Sequence, residues 1–112
     1  MYTVNAIPVT FAANTSSSAP FDLAPYAGAG VIVGATWNTA MLGFSASPTE
    51  QGAYVVSVGN SLSAWGVPAQ PNMHVPVPQD VVLGTRWVRL VSHTNGTLVA
   101  QGALTVTVLR KG

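Results

Sequence analysis

The chain has 112 residues, 48% of them hydrophobic and only 6% charged, with a formal net charge of +1 and no cysteine. That length supports one hydrophobic core and not two. The near-neutral charge excludes the basic face with which a dedicated nucleic-acid binder displaces counterions. The absence of cysteine excludes disulfides and thiolate metal sites. An ordinary soluble domain carries about 25% charged residues, so this surface must be built largely from Ser, Thr, Asn, Gln, Gly and backbone. Mixed charge normally suppresses association, and the expectation is a surface that largely faces another protein. The start "MYTVNAIPVTFAANTSSS" has no basic region and no uninterrupted apolar stretch, so no signal peptide is expected and folding in the cytoplasm is. No run approaches the roughly 18 apolar residues of a membrane helix.

Val, Thr, Gly and Pro are abundant and helix-favouring charged residues are scarce. Short β-rich runs between turn signals predict an all-β fold, an antiparallel β-sandwich of jelly-roll type in a single domain, 1–112. The first strand is expected over Thr3–Phe11, followed by the polar loop "ANTSSSAP". Strands at Ala29–Trp37 and Met41–Ser47 come next. "SASPTEQGAY" then makes a hairpin connection into Ala53–Val58. "VPAQPNMHVPVPQD" carries proline at 68, 71, 76 and 78, and proline cannot donate to a ladder, so this stretch is extended loop or sheet edge. Strands follow at Val81–Leu83 and Arg86–Ser92. Asn95-Gly96 is a dipeptide suited to positive φ. In the last strand, Leu104–Arg110, Leu104, Val106 and Val108 alternate with Thr105 and Thr107, the period-2 pattern of one buried face.

The candidate chemistry is thin. Gly28-x-Gly30 superficially resembles a dinucleotide fingerprint, but β-branched Val31-Ile32-Val33 follows where a helix is required, so the segment reads as a turn entering a strand. His74 and His93 read as solvent-facing loop histidines, and Asp22, Glu50 and Asp80 lie in separate segments, so no metal site is expected. No serine lies in a Gly-x-Ser-x-Gly elbow and no carboxylate pair is signalled. Neither catalysis nor a cofactor is expected. Trp37 reads as core and Trp65, in "SLSAWGVP", as a surface anchor. Trp87 could face either way.

The run from Trp37 through "LGFSAS", Gly52 and Tyr54 to "GTRWVRLVSHTNGTLVAQGALTVTVL" resembles small virion proteins of tailed bacteriophages. The matching positions are Trp37, Leu42, Phe44, Ser45, Tyr54, Gly84, Arg86, Trp87, Arg89, Ser92, Val99, Gln101 and Ala103, over about the last two-thirds of the chain. It departs from that pattern in the turn "SPTEQG", where an Asp-Gly turn is usual, and in the proline-rich loop. "RWVRL" after an "F-x-x-S" strand is also similar to discoidin-like jelly rolls. The phage resemblance implies a capsid decoration (cement) protein on the capsid exterior, made in the host cytoplasm. Its partners would be the major capsid protein and copies of itself, as a dimer or trimer, with no nucleic acid or membrane.

On that reading the N-terminal segment and the proline-rich loop make the contacts. The loop holds Met73, Val75 and Val77 on a stiff backbone that loses little entropy on docking, and replacing Met73 and Val75 is expected to leave the fold intact. Trp65 and Arg89 are further interface candidates, tryptophan and arginine being enriched in hot spots. Arg110 and Lys111 either form a basic edge for an acidic partner or lie along the sandwich rim and guard a strand edge. The alternatives are a carbohydrate- or receptor-binding accessory using Trp65, Gln70 and Asn72, and a tail, neck or fibre component.

Overall fold

In β10 (Leu104–Lys111), Leu104, Val106 and Val108 are buried and Thr105 is exposed, as the alternation requires. A strand buried on one face needs neighbours on both sides, and β10 has them. A computed structural model describes residues 4–24, 26–57, 65–79, 82 and 85–112. There β10 lies between β1 (Val4–Phe11) and β3 (Gly28–Ile32), and β7 (His74–Val77) closes the sheet in the order β1-β10-β3-β7. A second sheet runs β2 (Phe21–Asp22), β8 (Trp87–Thr94), β4 (Met41–Ser47), β5 (Val55–Val56). β6 (Val67–Pro68) also pairs with β4, and β9 (Thr97–Leu98) pairs with β8. All the pairings are antiparallel, and the two sheets form the expected β-sandwich.

Inward residues of the first sheet, Val9, Phe11, Val31, Val75, Val106 and Val108, share one core with Leu42, Phe44, Val88 and Leu90 of the second. Trp37 joins it as read from sequence, edge-on to Phe11 with centroids 5.6 Å apart. Its indole N–H donates to the Ala40 carbonyl at 3.0 Å, which satisfies the polar end of a buried ring.

Several boundaries move. The strand expected over Ala29–Trp37 begins at Gly28 and ends at Ile32, and that expected over Ala53–Val58 keeps only Val55–Val56. Thr3, Val58, Val81 and Leu83 lie outside the described residues. Val82 is helical where a strand was expected: its N–H donates four residues back to the Pro78 carbonyl at 3.3 Å. "ANTSSSAP" is also more than a loop. Ser92 N–H donates to the Ser16 carbonyl, Ser18 N–H to the Leu90 carbonyl, and Leu90 N–H to Ser18 Oγ, so the segment runs along the margin of β8.

Asn95-Gly96 forms the two-residue β8–β9 hairpin loop with φ of 50° and 92°, as its residues predict. Both outer strands of the first sheet contain a proline. The Val33 N–H donates to the Met73 carbonyl, so alternate residues of β7 pair with β3 and Pro76 directs its donor-less nitrogen to the open side. In β1 the Thr10 carbonyl accepts from Ala19 off the sheet, which places Pro8 in the same outward phase. Edge strands tolerate proline in this position.

Candidate functional site

Pairing of β7 with β3 turns Val75 and Val77 inward, 4% and 9% exposed and part of the core. They cannot serve as the interface residues expected of the proline-rich stretch. Only one face of "HVPV" is exposed, and it shows His74 and Pro76. Met73, just before β7, keeps 38% exposure, and its thioether accepts a hydrogen bond from Gln70 N–H at 3.2 Å.

The register builds the rest of that outer face. Ala6, Leu109, Gly30 and Pro76 form one row across the four strands, and Pro8, Thr107, Ile32 and His74 the next. Val4, Lys111 and Gly28 form a third. Val4 is 61% exposed and Ile32 42%, so apolar side chains stand on the surface with few charges among them. Because Gly28 and Gly30 lack side chains, the sheet is hollow between β10 and β7. A groove of about 410 Å³ lies there, walled by Leu109, Arg110 and Lys111 on one side and His74 on the other, with Val4 at its margin. The His74 ring lies so close over Gly30 that a Cβ there would stand 2.6 Å from Nε2.

The arginines are committed to the fold. Arg110 donates through Nε and one terminal nitrogen to Asn5 Oδ1 on β1 and through the other to the Asp22 carbonyl on β2, tying the two sheets together. Its guanidinium also lies over the Tyr26 ring at 4.5 Å. Arg89, half-buried on the second sheet, donates to the Ser18 carbonyl at 3.0 Å and lies over Tyr54 at 4.6 Å. Arg86 stands 5.9 Å from the Trp87 ring and 3.8 Å from Asp22 Oδ1. Each of the three arginines thus sits by an aromatic ring, a contact worth about 0.5–1 kcal/mol at exposed sites. Of the two readings open for the C-terminal cations, Arg110 fits the sandwich rim. Lys111 is exposed and lines the groove.

Trp65 is half-buried, its ring 5.0 Å from Phe44. That packing withdraws it from the role of free surface anchor. His93, expected in a solvent-facing loop, is 1% exposed in β8. Gly96 N–H donates to its Nδ1 at 3.1 Å, and Nε2–H points to the Trp65 carbonyl at 2.9 Å. His74 and His93 therefore occupy opposite sheets. Among the described residues no group of three His, Cys, Asp or Glu could hold a metal ion, and no helix is long and apolar enough to cross a membrane.

Of the sequence-derived candidates, Arg110 and Lys111 share the groove, Met73 lies near the end of β7, and Trp65 and Arg89 belong to the other sheet. The glycine pair, His74, Leu109, Ile32 and Val4 were not anticipated. The available signal was the strand period itself: in "GAGVI" a two-residue alternation puts both glycines on the face opposite Val31.

No protein-family model matches the sequence, and no curated protein matches it. The fold is similar to that of the SPBc2 prophage-derived protein YomS, known from a crystal structure, with a TM-score of 0.58 and 16% identity. The similarity covers 98% of this chain and 96% of that one.

Proposed function

We propose that this protein is a structural component of a bacteriophage particle that acts by binding, with the outer face of the four-stranded sheet as its docking surface. The observation that carries the phage assignment is the likeness to a prophage-derived protein over nearly the whole of both chains. The exposed face of β1, β10, β3 and β7 supports the mode of action: it is apolar, glycine-floored and nearly free of charge.

The finer reading is a decoration protein on the capsid exterior, bound to the major capsid protein and to copies of itself as a dimer or trimer. Apolar burial yields about 25 cal/mol per Å², so a contact of standard size, roughly 800 Å² per partner, can form with few ion pairs. Many copies on a closed shell add avidity. No step of this mechanism needs a cofactor, a metal or catalysis.

The test is co-purification with assembled particles. A fixed stoichiometry relative to the major capsid protein supports the decoration reading. A few copies per particle would place the protein at the tail, neck or fibre, and absence from particles would overturn the virion reading.

A further inference from the structure

On the outer face of the first sheet, β3 carries a hollow and a knob, one on either side of Gly30. Gly28 leaves the hollow, since a Cβ there would meet nothing within 4 Å. Ile32 is the knob, its apolar side chain exposed. Each lies roughly 7 Å from Gly30 along the strand, at about 3.3 Å per residue. Gly30 itself is covered by the His74 ring.

We infer that a second copy of the chain occupies this face, in a two-fold dimer whose axis crosses the strands over the row of Ala6, Leu109, Gly30 and Pro76. This rests on the reading of the outer face as a docking surface and names its occupant.

The register shows why the face complements itself. A two-fold axis along that row lays each strand over its own copy and reverses its direction. Ile32 then comes over the second copy's Gly28, and Gly28 over the second copy's Ile32, the reciprocal contact of an isologous interface. On β1, Val4 meets Pro8 in the same way, and on β10 Lys111 meets Thr107. Lys111 is the one Lys, Arg, Asp or Glu in these three rows. The axis sets it opposite a threonine, so the pairing brings no like charges together.

Two further features favour a copy laid face to face. The outer strands β1 and β7 carry Pro8 and Pro76 in outward phase, which bars a ladder from the edges of the sheet. The area also suffices. β1 and β10, of eight residues each, run roughly 26 Å at about 3.3 Å per residue, and four strands about 4.8 Å apart spread roughly 19 Å. With β3 and β7 shorter, the two faces together bury on the order of 1,000 Å², about the least a specific interface needs. Facing sheets aligned within about 30° interdigitate such side chains. The expected dimer is therefore a reversible one.

Sedimentation equilibrium of the purified protein, from roughly 1 μM to 1 mM, should show monomer and dimer and no trimer. Ile32→Asp should raise the dissociation constant at least tenfold, because it carries a charge into an apolar contact. Gly28→Val should raise it about tenfold by filling the hollow that receives Ile32. Val55→Thr, exposed on the edge of the other sheet, should dimerise as the parent does. Thermal unfolding verifies that all three variants fold. In a sample mixed from isotope-labelled and unlabelled chains, intermolecular nuclear Overhauser contacts should join the Ile32 methyls to the Gly28 Cα protons.

A monomer throughout, a trimer, or a dimer indifferent to Ile32→Asp or to Gly28→Val overturns the inference. So does a dimer that Val55→Thr abolishes, or one without the contact between Ile32 and Gly28. Particle binding separates the inference from the reading beneath it. If the protein stays monomeric and Ile32→Asp abolishes particle binding, the face docks another partner, and only the inference falls. If the dimer forms as described and the parent binds no particles, the inference stands and the virion reading falls.

Discussion

His93 Nε2 lies 2.9 Å from the Trp65 carbonyl oxygen, and this bond fastens the segment before β6 across the outer side of the second sheet. The imidazole fits there because Gly43 and Gly66 flank it. A Cβ on Gly43 would stand 2.5 Å from the Trp65 oxygen and 2.7 Å from His93 Nε2, and one on Gly66 would stand 2.5 Å from the same nitrogen.

Gly43→Ala should therefore destabilise the protein by about 2–3 kcal/mol, because overpacking against a backbone oxygen forces the chain to shift. Gly28→Ala, into open space, should stay within about 0.5 kcal/mol of the parent. Denaturant titration of the two variants gives the comparison. Equal stabilities would show that the Trp65 segment does not pack on β8 as described.

Gln101 is 2% exposed and joins three parts of the chain. Its Nε2 donates to Ser92 Oγ at 2.8 Å and to Asn38 Oδ1 at 2.6 Å, while its Oε1 accepts from Asn38 N–H at 3.1 Å. Gln101→Leu should cost about 1–3 kcal/mol, since it takes a hydrogen-bond partner from the buried Ser92 hydroxyl and unties Asn38. Thermal unfolding by circular dichroism measures this, and an unchanged midpoint would contradict the network.

Met73 and Val75 should respond in opposite ways. Val75→Ala removes part of a buried side chain of the core and should cost about 1.5–3 kcal/mol. Met73→Ser, at a position 38% exposed, should cost less than about 1 kcal/mol. The order of the two midpoints decides the matter, and Met73→Ser as the more damaging change would refute the inward facing of Val75.

Arg110→Lys should destabilise by about 1–2 kcal/mol. A lysine ammonium cannot reproduce the planar fork that reaches both Asn5 and the Asp22 carbonyl, nor the stacking on Tyr26. Since the partners of Arg110 are neutral, parent stability should change little between low and moderate salt. A steep loss of stability with added salt would point to ion pairs as the chief bond between the sheets.

Much of the fold was legible because strand periodicity is local. Leu104, Val106 and Val108 betray one buried face without reference to any neighbour, Asn95-Gly96 demands its turn through backbone sterics, and prolines 76 and 78 bar their segment from a central position. The Val81–Leu83 strand misread Val82 because a short apolar run cannot by itself distinguish strand from helical turn.

The site was less legible. The sequence by itself determined an all-β domain with few charged residues, whose surface is therefore built largely from apolar, neutral polar and backbone groups. Only the tertiary structure decided which residues those are. Pairing of β7 with β3 drew Val75 and Val77 into the core and left His74 on the surface. Pairing of β8 with β4 buried His93 under Trp65, and antiparallel register set Gly28 and Gly30 between Leu109, Lys111 and His74. A side chain's period states that it has a face. Which face meets solvent depends on the strand beside it and on the sheet packed against that strand, and both come from distant parts of the chain.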